Sequence, residues 1–338
     1  MHSIYSIMSQ ILLLILALLP LLLFVVVVIW MDAFSLTNWR RLAFCLCAGV
    51  LCFLLIHWLG YRLPNMAFKP YLTAILSELF KGLPLLYLVL RKKIVMLGDA
   101  TIYGSAVGAG FGIGENIHIV LAESVGPGMA VLYGFEAAVM HIGCSSLLAS
   151  GLIMAKQETS SRSYTARNLS VVVVFITVCI VHIIHDVVPV DPVLLTSILV
   201  VYFVLSKRHM FKKNEHNVHQ WIDQCLNNDV ALLASIKRGE LSQTKAGQYL
   251  LSIREAFDKE TFFDICCYIS EYLELSILAK SNLLLKGAGF PIRHSADTKA
   301  RIIELHTLRK RIGKSGVQAI NPIVRIEDVD RWVVEAVL

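Results

Sequence analysis

Glu78, Lys81, Glu115, Asn116, His118, His141, His182, His185 and Asp186 each interrupt a long apolar run. An ionisable side chain in bilayer hydrocarbon is unfavourable by roughly 2.5–3.5 kcal/mol on insertion scales, so it normally faces a bundle interior or a wet cavity and finds a partner there. Carboxylates and imidazoles together can activate water, polarise a carbonyl and move a proton, which is the equipment of amide hydrolysis. Glu78 or Glu115, made a better proton acceptor by partial burial, would take the proton from water. His141 and His182 would polarise the carbonyl, with Asn116 donating a further hydrogen bond and Asp186 holding the His182 ring. His141, His182 and Glu115 are also a donor set that zinc accepts with water as fourth ligand. No HExxH spacing is present, so the residues favour a glutamate-activated water and leave a divalent metal such as zinc open. Bland readings stand beside these: His118 and His185 as interfacial or carbonyl-satisfied residues, and Glu78 with Lys81 as a buried pair that only fixes register.

The elements that must position these groups are membrane helices. The chain has 338 residues, 56% of them hydrophobic, and a mean hydropathy of +0.66. That is more apolar surface than a water-soluble fold of this length can hide. About 20 apolar residues span the hydrocarbon, and such windows fall near 11–31, 42–60, 70–90, 101–121, 129–155, 169–188 and 190–206. The expected fold is all-α: about seven transmembrane helices over 1–206, then a helical cytosolic domain over 207–338. The first run is too long for a signal-peptide core and has no basic residue before it, so it should stay as the first span. Counting 1.5 Å per residue from the span ends puts Glu78 at roughly 12 Å depth, Glu115 and His182 at roughly 10 Å and His141 at roughly 17 Å. Four groups from four helices should therefore converge, with Lys81 one turn from Glu78 and Asp186 one turn from His182. Gly104, Gly108, Gly110, Gly112 and Gly114 give the fourth span the small face that close helix contact requires.

Arg40, Arg41, Arg91, Lys92, Lys93 and Lys156 fall on one set of connectors, whereas the opposite set holds only Arg62 and Lys69. By the positive-inside rule the N-terminus is outside and the C-terminus cytosolic, which places the cluster in the outer half of the membrane. The formal charge of +6 is thus a matter of topology, and no nucleic-acid partner is expected. The eight cysteines show no CxxC spacing and read as small packing residues. The basic run Lys207–Lys213 reads as a juxtamembrane stop. Beyond it, apolar residues recur at helical spacing with no nucleotide loop or metal cluster, and a cytosolic protein partner is the role open to that part.

Read in order, the motifs are Ser77-Glu78-Leu-Phe-Lys81, Phe111-Gly-Ile-Gly-Glu115-Asn116, His141 with Gly151, and His182-Ile-Ile-His-Asp186. Over about 70–190 this signature resembles the PrsW family of intramembrane proteases, within the wider superfamily of CAAX prenyl endopeptidases and Abi proteins. Glu78 and Lys81 match the family's EExxK element, Glu115 and Asn116 its FxxxEN element, and His182 with Asp186 its HxxxD/N element. The resemblance implies hydrolysis of membrane-protein substrates within or beside the bilayer of a bacterial inner membrane. For the family's namesake this is the first cut in a membrane-bound anti-sigma factor. One departure stands out, because Ser77 occupies the place of the family's first glutamate. That substitution keeps open a non-catalytic pseudoprotease, receptor or scaffold. A proton-coupled transporter is a further alternative, since Glu and His also build proton relays, although no inverted repeat is evident.

Overall fold

The structure is a computed structural model that describes residues 2–30, 37–64, 66–157, 164–189, 191–290 and 296–324. Among these, every regular element is helical. The chain divides into two compact units, Met1–Asn214 and Glu215–Leu338.

The first unit opens with α1 (His2–Trp30), α2 (Trp39–Arg62), α3 (Lys69–Leu90) and α4 (Leu97–Ala122). A longer span follows in three pieces: α5 (Pro127–Ala137), a π-helical segment (Ala138–Ile142) and α6 (Gly143–Gln157). Then come α7 (Tyr164–Val187) and α8 (Pro192–Lys237). Asn38 starts α2, its side chain accepting from the amides of Arg40 and Arg41 at 3.0 and 3.2 Å. Proline at the first turns of α3 and α5 suits positions whose amides lack helical partners.

Six helical stretches are long and apolar enough to cross a membrane, and the chain is an all-α polytopic membrane bundle. The seventh helix expected from the sequence, α4, is not among the six although it has 26 residues. Glycines and polar side chains dilute its hydropathy. It needs no lipid-facing surface, because α1, α2, α5 and α6 enclose it and most of its residues are buried.

The glycines make that enclosure possible. A Cβ on Gly110 would run into the carbonyl of Leu46, and one on Gly49 into the carbonyl of Val107, so α2 and α4 meet backbone to backbone. Gly108 does the same against His141 and Ile142 of the π-helical segment. A bulge of this type inserts a residue into the helical repeat and re-aims the side chains around it.

The last expected span ended at 206, but α8 runs unbroken for 46 residues, about 69 Å of helix at 1.5 Å per residue. The juxtamembrane reading of Lys207 is corrected with it: this side chain is buried in the first unit. The second unit continues from α8 through α9 (Lys245–Ile253), α10 (Lys259–Gly287) and α11 (Ala296–Ile320). Its core gathers Leu250, Ile265, Ile269, Leu273, Leu305 and Ile312. Arg301 ties α10 to α11, donating to Glu271 at 2.7 Å and to Glu274 at 2.6 Å. None of the eight cysteines is in a disulfide, and Cys45, Cys52, Cys144 and Cys179 are buried.

Candidate active site

Helix α3 supplies Glu78 and Lys81 one turn apart, and Lys81 Nζ donates to Glu78 Oε1 at 2.6 Å with both side chains fully buried. The π-helical segment supplies His141, whose Nδ1 lies 3.2 Å from the same ammonium. Its other nitrogen, Nε2, lies 2.6 Å from Glu115 Oε2 on α4. Since an ammonium can only donate and a carboxylate accept, these bonds place the His141 proton on Nε2 and leave the Nδ1 lone pair facing Lys81. From α7, His182 presents Nδ1 to Glu78 Oε1 at 2.7 Å and Nε2 to Asp186 Oδ2 at 3.3 Å. The two imidazole rings stand nearly perpendicular with centroids 5.4 Å apart, and Phe111 closes the floor against His141 and the Lys81 ammonium.

Four helices therefore bring Glu78, Glu115, His141 and His182 into one hydrogen-bonded cluster, with Lys81 and Asp186 attached. Glu115, His182 and Asp186 also line a cavity of about 370 Å³ between α2, α3, α4 and α7. Glu115 and Asp186 are each 34% exposed there, whereas Glu78 and His141 are sealed beneath.

Asn116 is not brought to this cavity. Its amide nitrogen donates to the Ala17 carbonyl of α1 at 3.1 Å, and Asn116 is not among the residues that line the cavity. His185 bonds Asp186 at 3.0 Å, while the His118 ring packs at a tilt against His57 with centroids 4.2 Å apart. His57 lines the cavity and was missed in the sequence, although an imidazole inside 42–60 meets the criterion that picked out the others.

The ligand atoms of Glu78, His141 and His182 lie within 4.8 Å of one another, a group able to hold a metal ion. Glu78 takes the place here that the sequence reading gave to Glu115. The fit is supported by three features. Glu78 Oε2 is buried with no hydrogen-bond partner. Each histidine has its outer nitrogen on a carboxylate, Glu115 or Asp186, the arrangement that orients metal-bound imidazoles. Finally, with both imidazoles neutral, as metal ligands are, the three carboxylates of the cluster outnumber its one lysine, leaving negative charge that a divalent cation would balance.

A sequence model for the PrsW family, described as intramembrane metalloproteases, matches residues 37–207, just over half of the chain. The chain belongs to the PrsW family. Every member of the cluster lies inside the matched region, which also takes in α2 and the start of α8. No curated protein and no solved structure matches the chain. As a PrsW-family member it is an integral, multi-pass membrane protein of the peptidase class. Ser77, at the family's first glutamate, is buried beside the cavity, with its hydroxyl donating to the Thr73 carbonyl at 2.8 Å.

Proposed function

We propose that the protein hydrolyses peptide bonds of membrane-protein substrates at the cavity between α2, α3, α4 and α7, with Glu78, Glu115, His141 and His182 as its catalytic residues. The observation that carries this reading is the joining of two carboxylate–imidazole pairs through Glu78 and Lys81, with Glu115 of one pair and His182 of the other opening onto the cavity. Glu78, His141 and His182 would hold a divalent metal such as zinc. When bound, that ion supplies Lewis-acid polarisation and an acidified water.

The remaining steps belong to side chains. Glu115, at the cavity wall, takes a proton from the attacking water as the new C–O bond forms at the peptide carbonyl. It returns that proton to the amine nitrogen as the C–N bond breaks, so one carboxylate serves as base and then acid. Asp186 holds the ring of His182, and Lys81 pairs with Glu78 inside the bundle. With basic residues on the cytosolic connectors, the cavity opens toward the outer leaflet. The second unit, from Glu215 on, serves as a cytosolic helical domain that a protein partner could bind. Location in a bacterial plasma membrane and kinship with CAAX and Abi proteases belong to the same proposal, with the motif order as their support.

The test is to express full-length wild type and Glu115→Gln in a common host and map new protein N-termini in the membrane fraction by labelling and mass spectrometry. Cuts within or beside transmembrane segments should appear with wild type and vanish with the variant. Identical N-termini in both would remove the hydrolase reading. Ser77 favours a second reading, a membrane scaffold that has lost activity, because a hydroxyl bonded to its own helix replaces a carboxylate at the cavity. Cuts that appear only after Ser77→Glu would establish that alternative.

A further inference from the structure

We propose that α8 positions His141: Phe203 and Lys207 fasten the π-helical segment and the first turn of α6, making Lys207 a positioning residue for the hydrolysis. The inference rests on the role given to His141 above. Leu199, Phe203 and Lys207 recur every four residues and so share one stripe of α8. Leu199 and Phe203 pack with Val139 and Met140 of the π-helical segment, with Cys144 of α6 and with Val178 of α7. The Phe203 ring fills the place of a side chain at Gly143, the residue directly after that segment.

Lys207 lies one turn further on and is buried. Its Nζ donates to Ser146 Oγ on α6 at 2.9 Å and to Ser105 Oγ on α4 at 3.0 Å. Both hydroxyl protons are already committed, Ser146 to the Gly143 carbonyl at 2.9 Å and Ser105 to the Thr101 carbonyl at 2.7 Å. The two oxygens therefore face the lysine only as acceptors. A continuous hydrogen-bonded chain runs from the Gly143 carbonyl through Lys207 to α4, the helix that carries Glu115. Among the described residues no carboxylate pairs with this ammonium.

For adhesion alone, an apolar side chain of similar length would serve as well in a buried place. The ammonium adds direction, because its two bonds fix where α6 begins relative to α4. That junction decides where the bulge re-aims His141, between the Lys81 ammonium and Glu115. Small displacements of a reacting group lower rate strongly without abolishing the fold.

The test uses the full chain in lipid nanodiscs, comparing wild type, Lys207→Met and the double variant Ser105→Ala/Ser146→Ala. Three quantities are read: the thermal unfolding midpoint, hydrogen–deuterium exchange at the ring carbon of His141 by mass spectrometry, and turnover of a membrane substrate found by N-terminal mapping. The expected result is an unchanged or raised midpoint, several-fold altered ring exchange at His141 in both variants, and kcat lower by roughly 10- to 100-fold at constant KM. Wild-type ring exchange and kcat in folded Lys207→Met would overturn the proposal. So would a fall in kcat that merely follows loss of folded protein. Should Lys207→Met fail to fold, the serine pair decides on the same criteria. If wild type cleaves nothing, the hydrolase reading fails separately, and the ring exchange of His141 still decides whether α8 positions it.

Discussion

Glu78 Oε1 and His182 Nδ1 meet at 2.7 Å across 104 residues of sequence, and the same oxygen accepts from Lys81 at 2.6 Å. One buried carboxylate oxygen thus joins α3 to α7, while its second oxygen stays unpartnered. Structure and chemistry are coupled at this point, which separates two consequences of removing the charge.

Glu78→Gln leaves the Lys81 ammonium buried without its carboxylate. Breaking a buried pair from one side destabilises by about 3–5 kcal/mol. Thermal unfolding in detergent should therefore show a clear loss for Glu78→Gln and substantial recovery in Glu78→Gln/Lys81→Met, with cleavage absent from both.

Glu115 differs because it is partly exposed in the cavity and bonded to His141 through one oxygen only. Glu115→Gln should lower kcat by roughly 10²- to 10⁴-fold, the usual range for a lost general base, and weaken metal affinity by about 10- to 100-fold because it also removes the outer partner of His141, while the unfolding midpoint stays near wild type. Kinetics, calorimetry and metal analysis on one preparation check all three.

Asp186→Asn removes the charged partner of the His182 outer nitrogen. Loss of such an outer partner weakens metal affinity by about 10- to 100-fold. Competition with a chelator of known affinity would show that shift, whereas unchanged retention would mean His182 is oriented by other groups.

Gly110→Ala places a methyl group against the Leu46 carbonyl where α2 and α4 touch. Overpacking of this kind costs about 1–3 kcal/mol or more, and rigid backbone on both sides offers little relief. A lowered unfolding midpoint is expected, and an unaltered one would mean the helices can separate freely there.

In the second unit, hydrogen bonds from Lys237 and then Arg301 hold the Glu274 carboxyl below its ordinary value of 4.5. A depressed carboxyl contributes stability that is complete above that ordinary value and is lost as pH falls through the folded value. Lys237 is exposed and Glu274 and Arg301 are only partly buried, so the effect is modest. Amide exchange in α10 and α11 should be flat from pH 7 down to about 5, after correction for intrinsic rates, and quicken below about 4.5.

Much of this arrangement is legible in the sequence because hydropathy fixes depth. Glu78, Glu115, His141 and His182 sit at matching depths on four expected spans, and the structure brings them together. Depth does not fix direction around a helix, which is why Asn116, adjacent to Glu115, turns to the Ala17 carbonyl instead, and why Glu78 rather than Glu115 groups with both imidazoles. The π-helical segment is invisible to periodicity, since a one-residue insertion leaves hydropathy unchanged. Lys207 misleads for a related reason: its basic neighbours suggest a membrane boundary, while two serines far away in sequence provide an interior place for it.

The most direct measurement is elemental analysis of the purified full-length protein in nanodiscs, wild type beside His141→Ala and His182→Ala, coupled to cleavage before and after chelation. The expected result is a stoichiometric divalent transition metal in wild type, absent from both variants, with cleavage lost on chelation and restored on adding the metal back. Full cleavage by metal-free wild type, or undiminished metal in the two histidine variants, would contradict the proposed centre.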